Sequence, residues 1–298
     1  MTESTATPRL GRLMTAMVTP FDESGAVDLA AAKKLAAYLV DEMGNDCLVL
    51  NGTTGEAPTT YHDEKADLIT AVKESVGDRA KVVAGVGTND TKHSAALACE
   101  AAAAGADGLL VITPYYSLPP QDAIVAHFQR VADATDLPVI IYDIPHRTGR
   151  PVDTKSLIKL AAHPNIIGVK DAKKDLAGSA EVIAATGMDY YAGDDALVLP
   201  ILSIGGVGVV GTSTHFTGRV TKRVIELFLA GDHVGALAAY RTVLPVYTGV
   251  FATQGCMLVK AGLEHLGVLA NRLVRQPLLP ATDAEQAAFA AILDATTR

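Results

Sequence analysis

Short apolar runs alternate with amphipathic stretches along most of the chain. The apolar runs cover residues 14–19, 47–51, 81–86, 107–112, 138–142, 165–170, 189–192 and 208–211. Runs of this length that end at turn residues are typical of buried β-strands, and a core of Val, Ile, Leu and Ala suits a parallel sheet. The pattern therefore predicts eight strands.

Amphipathic stretches separate most of these strands. Apolar spacing and capping residues predict helices over residues 28–40, 63–76, 91–104, 121–134, 153–162 and 219–229. Strands joined by helices must run parallel. Eight such units in about 230 residues predict a (β/α)₈ barrel, the TIM barrel. A doubly wound open sheet is the alternative, but it usually has a Gly-x-Gly-x-x-Gly turn where this chain has Pro20-Phe21-Asp22.

The strand pattern stops near Asp232. Beyond it, the pattern predicts helices over residues 236–246, 257–266 and 283–293, and Pro277 and Pro280 interrupt the last link. We therefore expect a barrel domain over residues 1–231 and a small helical domain over residues 232–298.

Composition and charge exclude several classes of protein. The net charge of −8 is spread along the chain, which argues against a nucleic-acid partner because such proteins need a basic face. The polar start lacks the apolar segment of a secretory signal, and no apolar run reaches the roughly 18 residues of a membrane span. Three widely spaced cysteines without a Cys-x-x-Cys pair indicate reduced thiols and a cytoplasmic protein.

Lys170 is the first candidate for chemistry. It ends the apolar run of residues 165–170, where partial desolvation would favour its neutral, nucleophilic amine. We therefore consider a Schiff base between Lys170 and a carbonyl substrate. For Lys170 alone, a lysine that reaches solvent at the end of a strand is the simpler interpretation.

A barrel would bring other reactive groups to the same rim, because active sites of such barrels lie at the carboxyl ends of the strands. Tyrosine hydroxyls can relay protons, and the backbone N–H groups of glycine turns can hold a carboxylate. An arginine can bind a carboxylate through two parallel N–H bonds. Each group also has an ordinary structural explanation, but their convergence favours a site. The strand ends carry Gly52-Thr53-Thr54-Gly55-Glu56, Thr113-Pro114-Tyr115-Tyr116, Tyr142, Arg147 and Gly193-Asp194-Asp195.

Metal chemistry has little support in the sequence. The eight histidines show no His-x-His or His-Glu-x-x-His spacing. Asp194 and Asp195 could bind a divalent ion, although a solvated loop is the expected explanation for this pair. We therefore expect no metal site.

Together, these motifs resemble the 4-hydroxy-tetrahydrodipicolinate synthase (dihydrodipicolinate synthase) family of pyruvate-dependent Schiff-base lyases. The resemblance runs from Leu13 to the C-terminus and is greatest to actinobacterial members. It rests on residues 52–56, 113–116, 142–149, 168–171 and 193–195 and on their mutual spacing.

The resemblance implies a reaction and a set of roles. Lys170 would form the Schiff base with pyruvate, and the enamine would attack aspartate 4-semialdehyde in lysine and diaminopimelate biosynthesis. Such enzymes need no cofactor or metal and are usually homotetramers, built as dimers of dimers. The proton relay would be Tyr142, Thr53 and Tyr116, the last reaching in from a neighbouring subunit, and the substrates would bind at Thr54, Arg147, Gly193 and Val210.

The chain departs from the family pattern near the rim. His146 would narrow the entrance, and Lys173 and Lys174 would add positive charge that attracts anions or lowers the pKa of Lys170. Gly211 and Ala57 each replace a common serine. In lysine-sensitive relatives a carboxylate and a histidine help hold the inhibitor, and His93 and Lys65 stand at those positions here. A cationic inhibitor would meet cationic or neutral groups at these two positions. We therefore expect weak or absent inhibition by lysine, although Asn89 and Tyr115 are present.

Two other functions stay open at this point. A sister enzyme, such as an N-acetylneuraminate lyase or a 2-keto-3-deoxy sugar acid aldolase, would use the same Schiff base. Thr53, Thr54 and Arg147 favour the synthase, because a sugar acid needs polyol contacts there. A non-catalytic barrel that only senses a keto acid would be expected to lack Lys170 or Tyr142, and both are present.

Overall fold

Eight parallel strands close into a barrel in sequence order in the computed structural model, which describes residues 7–296. The predicted strands and the predicted barrel are confirmed. The strands are β1 (Leu13–Ala16), β2 (Cys47–Leu50), β3 (Lys81–Gly85), β4 (Gly108–Ile112), β5 (Val139–Asp143), β6 (Ile166–Asp171), β7 (Asp189–Ala192) and β8 (Gly208–Gly211).

Helices follow the strands and surround the barrel. Those predicted from the sequence are present as α1 (Leu29–Ala37), α2 (His62–Val76), α3 (Thr91–Ala103), α4 (Gln121–Ala132), α6 (Thr154–Leu160), α9 (Thr214–Leu229), α10 (His233–Gly249), α11 (Gly255–His265) and α12 (Asp283–Thr296). The first continues as a π-helix, Tyr38–Glu42, and 3₁₀ turns form at Ala57–Thr59 and Asp195–Leu197.

Three helices were not predicted. They are α5 (Pro145–Thr148), α7 (Leu176–Thr186) and α8 (Val198–Ser203). The first and third are too short to show a helical period. The second consists mostly of small residues and contains Gly178, a weak helix former, although Asp175 caps it through the Gly178 N–H.

Alternation along the strands divides the core into an inner and an outer part. On β5, Ile140 and Tyr142 belong to the cluster inside the barrel, whereas Val139 and Ile141 belong to the cluster beneath the helices. Successive strand residues point to opposite faces of a sheet, so every second strand residue faces the barrel axis. Tyr142 pairs in register with Lys170 of β6, and the two therefore end side by side at the rim.

A buried ion pair joins the loop after β2 to helix α11. Lys260 Nζ lies 2.6 Å from Glu56 Oε1, and both side chains are only 1% exposed. Lys260 also donates to the Leu273 carbonyl at 2.6 Å, and the Arg275 backbone N–H donates to Glu56 Oε2 at 2.9 Å. These bonds anchor the loop that carries Thr53 and Thr54 to the C-terminal region.

A second link lies beside it. Arg275 donates two hydrogen bonds to the Glu64 carboxylate, at 2.7 and 2.5 Å, and its guanidinium lies 4.5 Å from the centre of the Phe21 ring.

The last barrel helix ends at Leu229 and α10 begins at His233. These termini lie on either side of the proposed domain boundary at residues 231 and 232, which stays a prediction.

Two further sequence expectations concern the thiols and the membrane. Cys47 and Cys256 are buried, Cys99 is exposed, and all three are free thiols. Burial raises the pKa of Cys256 to about 12, so this thiol stays protonated. Among the described helices, none has both the length and the apolar character that a membrane span requires.

We expect Lys260→Met to lower the free energy of unfolding by about 3 kcal/mol, because it leaves the buried Glu56 carboxylate without its cation. Urea denaturation would measure this loss. Lys33→Met is the matched control: it breaks the Lys33–Glu74 pair, whose side chains are 44% and 61% exposed. An exposed pair contributes less than about 1 kcal/mol, so equal losses for the two variants would contradict the assignment.

Candidate active site

Lys170 lies at the carboxyl end of β6, inside the mouth of the barrel. Its side chain is 4% exposed, and its amine lies 4.2 Å from the centre of the Tyr142 ring. Burial lowers the pKa of Lys170 to about 8, Asp195 opposes the shift, and Arg147 adds to it. Near neutral pH a useful fraction of this amine is therefore neutral, as a nucleophile requires.

Tyr142 and Thr53 form the neighbouring hydroxyl pair. The Thr53 side chain lies close enough to the phenol to lower its pKa, although the two residues come from the loop after β2 and from β5. Burial raises the pKa of Tyr142, and the nearby charge of Arg147 partly opposes this rise. The phenol therefore stays protonated beside the Lys170 amine.

Three predicted binding residues lie at the same rim, each beside a different strand: Thr54 after β2, Gly193 after β7 and Val210 on β8. Thr54 Oγ1 lies 3.3 Å from Thr212 Oγ1, just after β8, where Val210 is fully buried. The Gly193 N–H donates to the Asp171 carbonyl at 2.7 Å. A Cβ on residue 193 would lie 2.9 Å from that oxygen, so this close approach requires glycine. Sequence reasoning missed Thr212, whose only signal was its place after a strand.

The expectation of a solvated loop at Asp194 and Asp195 is wrong for Asp195, whose side chain is buried. It accepts hydrogen bonds from the backbone of Thr212 and Ser213, because the 3₁₀ turn Asp195–Leu197 folds it under the end of β8. Asp194 pairs instead with Lys174 at 2.8 Å. Among residues 7–296, no group of three or more His, Cys, Asp or Glu side chains is placed to hold a metal ion.

Arg147 lies at the entrance to this group. It belongs to the short helix α5, which Gly149 ends in a left-handed conformation, with φ of +76°. Its side chain is exposed, yet its charge lowers the pKa of both Lys170 and Tyr142. A free guanidinium close to the reactive groups is suited to an anionic substrate.

Tyr116 is the predicted site residue that this chain does not bring to the others. It is 89% exposed, and its φ of +71° is unusual for a residue other than glycine. Tyr115 lines the cavity beside Tyr142, whereas Tyr116 does not. The role of Tyr116 in a neighbouring subunit stays a prediction.

A cavity of about 440 Å³ extends from Tyr142 and Thr53 to a basic region between α2 and α3. There the rings of His62 and His93 are stacked with centres 4.8 Å apart, and their Nε2 atoms are 2.8 Å apart. Lys65 also lines this region, and burial lowers its pKa to about 8. The side chains at this end are therefore basic, as the sequence suggested for His93 and Lys65.

The additional lysines near the rim are not free charges. Lys173 Nζ lies 3.7 Å from Asp143 and donates to the Val152 carbonyl at 3.2 Å. The groups that shift the pKa of Lys170 are Asp195 and Arg147, not Lys173 or Lys174. The expected effect of these lysines on the nucleophile is therefore not supported, because nearby carboxylates balance them. His146 is exposed at the entrance.

Comparison with known proteins gives one consistent result. The model of the dihydrodipicolinate synthetase family matches residues 9–296. The 4-hydroxy-tetrahydrodipicolinate synthase of Cutibacterium acnes is 56% identical over 289 residues, which are 97% of this chain and 98% of that protein. The corresponding synthase of Acidothermus cellulolyticus is 56% identical over 97% of this chain and 92% of that protein.

Solved structures agree with the sequence relatives. A dihydrodipicolinate synthase from Bacillus anthracis superposes with a TM-score of 0.92 at 34% identity, over 97% of this chain and 99% of that one. A dihydrodipicolinate synthase from Cyanidioschyzon merolae with lysine bound superposes with a TM-score of 0.93 at 37% identity, over 97% and 98%.

These findings confirm the resemblance seen in the sequence, including its actinobacterial character, and they confirm the predicted class of function, a lyase of the synthase type. The barrel with its C-terminal helices is also the architecture of the solved relatives. The chain belongs to the dihydrodipicolinate synthetase family.

Proposed function

We propose that this protein condenses pyruvate with L-aspartate 4-semialdehyde through a Schiff base on Lys170. The observation that carries the proposal is the burial of the Lys170 amine 4.2 Å from the centre of the Tyr142 ring, with a pKa lowered to about 8. The names of the similar proteins support the same reaction.

The proposed chemistry needs an amine, a proton relay and an anion pocket. The neutral amine adds to the keto carbon of pyruvate, and loss of water gives the iminium ion. Loss of a methyl proton then gives the enamine, which attacks the aldehyde carbon. Tyr142 and its neighbour Thr53 carry the protons, and Thr54, Gly193 and Val210 form the pocket for the keto acid. No added cofactor takes part.

Arg147 would bind the carboxylate of the second substrate. It is the exposed cation whose charge reaches Lys170 and Tyr142, so it can bind an anion at the mouth without filling the pocket. The sister aldolases that act on sugar acids would need hydroxyl-binding groups instead. Steady-state rates with aspartate semialdehyde against N-acetylneuraminate and 2-keto-3-deoxygluconate distinguish these substrates.

Association of subunits would add the third hydroxyl group to the proposed proton relay. Tyr116 projects from the rim, 89% exposed, and we propose that it enters the site of a neighbouring subunit in a homotetramer built as a dimer of dimers. One of the similar solved structures is described as a monomeric variant, so sedimentation of the purified protein is the direct measurement. We place the tetramer in the cytoplasm.

Lysine feedback should be weak in this protein. The basic end of the cavity presents His62, His93 and Lys65, whereas an amino acid with a cationic side chain needs an acidic partner.

We expect sodium cyanoborohydride to trap pyruvate on the protein, and Lys170→Arg to abolish the adduct. Because only the neutral amine attacks, and its pKa is lowered to about 8, the rate of trapping should rise with pH through a midpoint near this pKa and level off at higher pH. Mass spectrometry of the intact protein measures the adduct. Lys174→Arg, which changes an exposed neighbour, should trap normally; an adduct in Lys170→Arg would contradict the proposal.

Arg147→Ala should lower kcat/KM for aspartate semialdehyde by about ten- to hundredfold, since a hydrogen-bonded charge pair contributes about 1.5–3 kcal/mol. Trapping of pyruvate should be retained because this step needs no second substrate, but its pH midpoint should move to slightly higher pH, because the Arg147 charge that helps to lower the pKa of Lys170 is gone. Arg150→Ala removes an exposed arginine that binds the Leu118 carbonyl at 3.2 Å, and it should leave both quantities unchanged. Loss of trapping in Arg147→Ala would place this residue in the pyruvate pocket instead.

Initial rates at millimolar lysine should equal those without it, since the residues that line this cavity include no carboxylate to bind the inhibitor's side-chain ammonium group. The substitution His93→Glu places a carboxylate in the same region and should increase inhibition by lysine. His265→Glu, at an exposed position on α11 that lies outside the cavity lining, is the control and should not. Strong inhibition of the unsubstituted protein would refute the charge argument.

A further inference from the structure

Asp195 is a buried carboxylate to which the proposed reaction assigns no role. Its two oxygens accept three hydrogen bonds: from the Thr212 N–H at 3.0 Å, the Ser213 N–H at 3.1 Å and the Ser213 hydroxyl at 2.5 Å. Each bond is accepted and none is donated by Asp195, which is the pattern of an ionised carboxylate. All three partners belong to the turn that follows β8.

This turn forms one wall of the proposed keto-acid pocket. Thr212 lies 3.3 Å from Thr54 through their hydroxyl oxygens, and the fully buried Val210 precedes the turn on β8. Gly211 leaves the space that the carboxylate occupies, since a Cβ there would lie 2.5 Å from Asp195 Oδ1. The turn is therefore shaped around Asp195, and any movement of the carboxylate would be passed on to Thr212 and Thr54.

The carboxylate also acts on the nucleophile through its charge. Burial, first among the causes, raises the pKa of Asp195, while the Ser213 and Thr212 hydrogen bonds and the Lys170 charge oppose this rise and Asp194 adds to it. The charged groups that act on Lys170 are Asp195 and Arg147, with opposite signs, and the neutral Tyr142 ring covers its amine. Asp195 is thus the negative charge that acts on an otherwise desolvated lysine.

We propose that Asp195 is a positioning residue for this reaction: its buried carboxylate holds residues 211–213 against Thr54, and it balances the positive charge that forms on Lys170 in the Schiff base. The proposal rests on the function proposed above. Because an iminium ion keeps its positive charge while it is buried, a fixed carboxylate nearby stabilises it. In this role Asp195 does not contact the substrates. It acts by holding the turn in place and through the electrostatic effect of its charge on Lys170.

Asp195→Asn keeps the shape of the side chain and removes its charge. The variant keeps one acceptor oxygen, but its amide nitrogen cannot accept a hydrogen bond, so the donor of the turn that faces this nitrogen loses its acceptor; the turn should shift and KM for pyruvate should rise about tenfold. Loss of the negative charge should also lower the pKa of Lys170 further, so the pH midpoint of pyruvate trapping by cyanoborohydride should move to lower pH. A purely structural residue would not move this midpoint.

Asp46→Asn is the matched control. Asp46 is a partly buried carboxylate that accepts the Arg12 and Leu13 N–H groups at 2.9 and 3.0 Å and binds Lys222 at 2.8 Å. It precedes β2 and therefore lies at the opposite end of the barrel, where residues contribute to stability. This variant should lose stability on thermal unfolding, yet keep the KM for pyruvate and the trapping midpoint of the unsubstituted protein.

The outcomes separate the two proposals. If the unsubstituted protein traps no pyruvate, the proposed function fails. If it traps pyruvate, and Asp195→Asn shows the same KM and midpoint, the role of Asp195 is refuted. Should Asp195→Asn not fold, Ser213→Ala decides: it removes one donor to the carboxylate but leaves its charge, so KM for pyruvate should rise by a smaller amount while the midpoint stays the same, and an unchanged KM would refute the role.

Discussion

Pairing of β1 with β8 closes the sheet, and the position of every candidate site residue follows from this closure. Met14 lies opposite Val210 in that pairing, which brings the two ends of the strand sequence together. Because all eight strands are parallel, their carboxyl ends form a single rim. Groups separated by more than a hundred residues, such as Thr54 and Thr212, thereby come within 3.3 Å.

The chemistry depends on desolvation that the barrel mouth imposes. Lys170 and Tyr142 are neighbours in register on β6 and β5, and both are buried, so the amine is easier to deprotonate and the phenol is harder to deprotonate. These opposite shifts of pKa suit a nucleophile beside a proton carrier. Arg147 remains exposed nearby, where its charge favours an anion at the entrance.

Buried carboxylates outside the reacting groups hold this arrangement in place. Glu56 joins the loop of Thr53 and Thr54 to Lys260 of the C-terminal helices, and Asp195 holds the turn of Thr212. A buried charge is costly unless its partners are well placed, so each carboxylate favours one conformation of its loop. The hydroxyls of the site therefore depend on residues from both parts of the chain.

The sequence by itself determined the barrel, the order of its strands and the place of Lys170, Tyr142, Thr53, Thr54 and Arg147 at its rim, because local hydrophobic periodicity and strand-end position are properties of short segments; the roles of these residues stay predictions. It did not reveal α7, which lacks a clear apolar face, nor the burial of Asp195, which depends on a turn 17 residues away. The tertiary structure alone decided the Glu56–Lys260 pair, which spans 204 residues. Such contacts cannot be read from the sequence because closure of the barrel, rather than any local pattern, creates the buried space in which the charges meet.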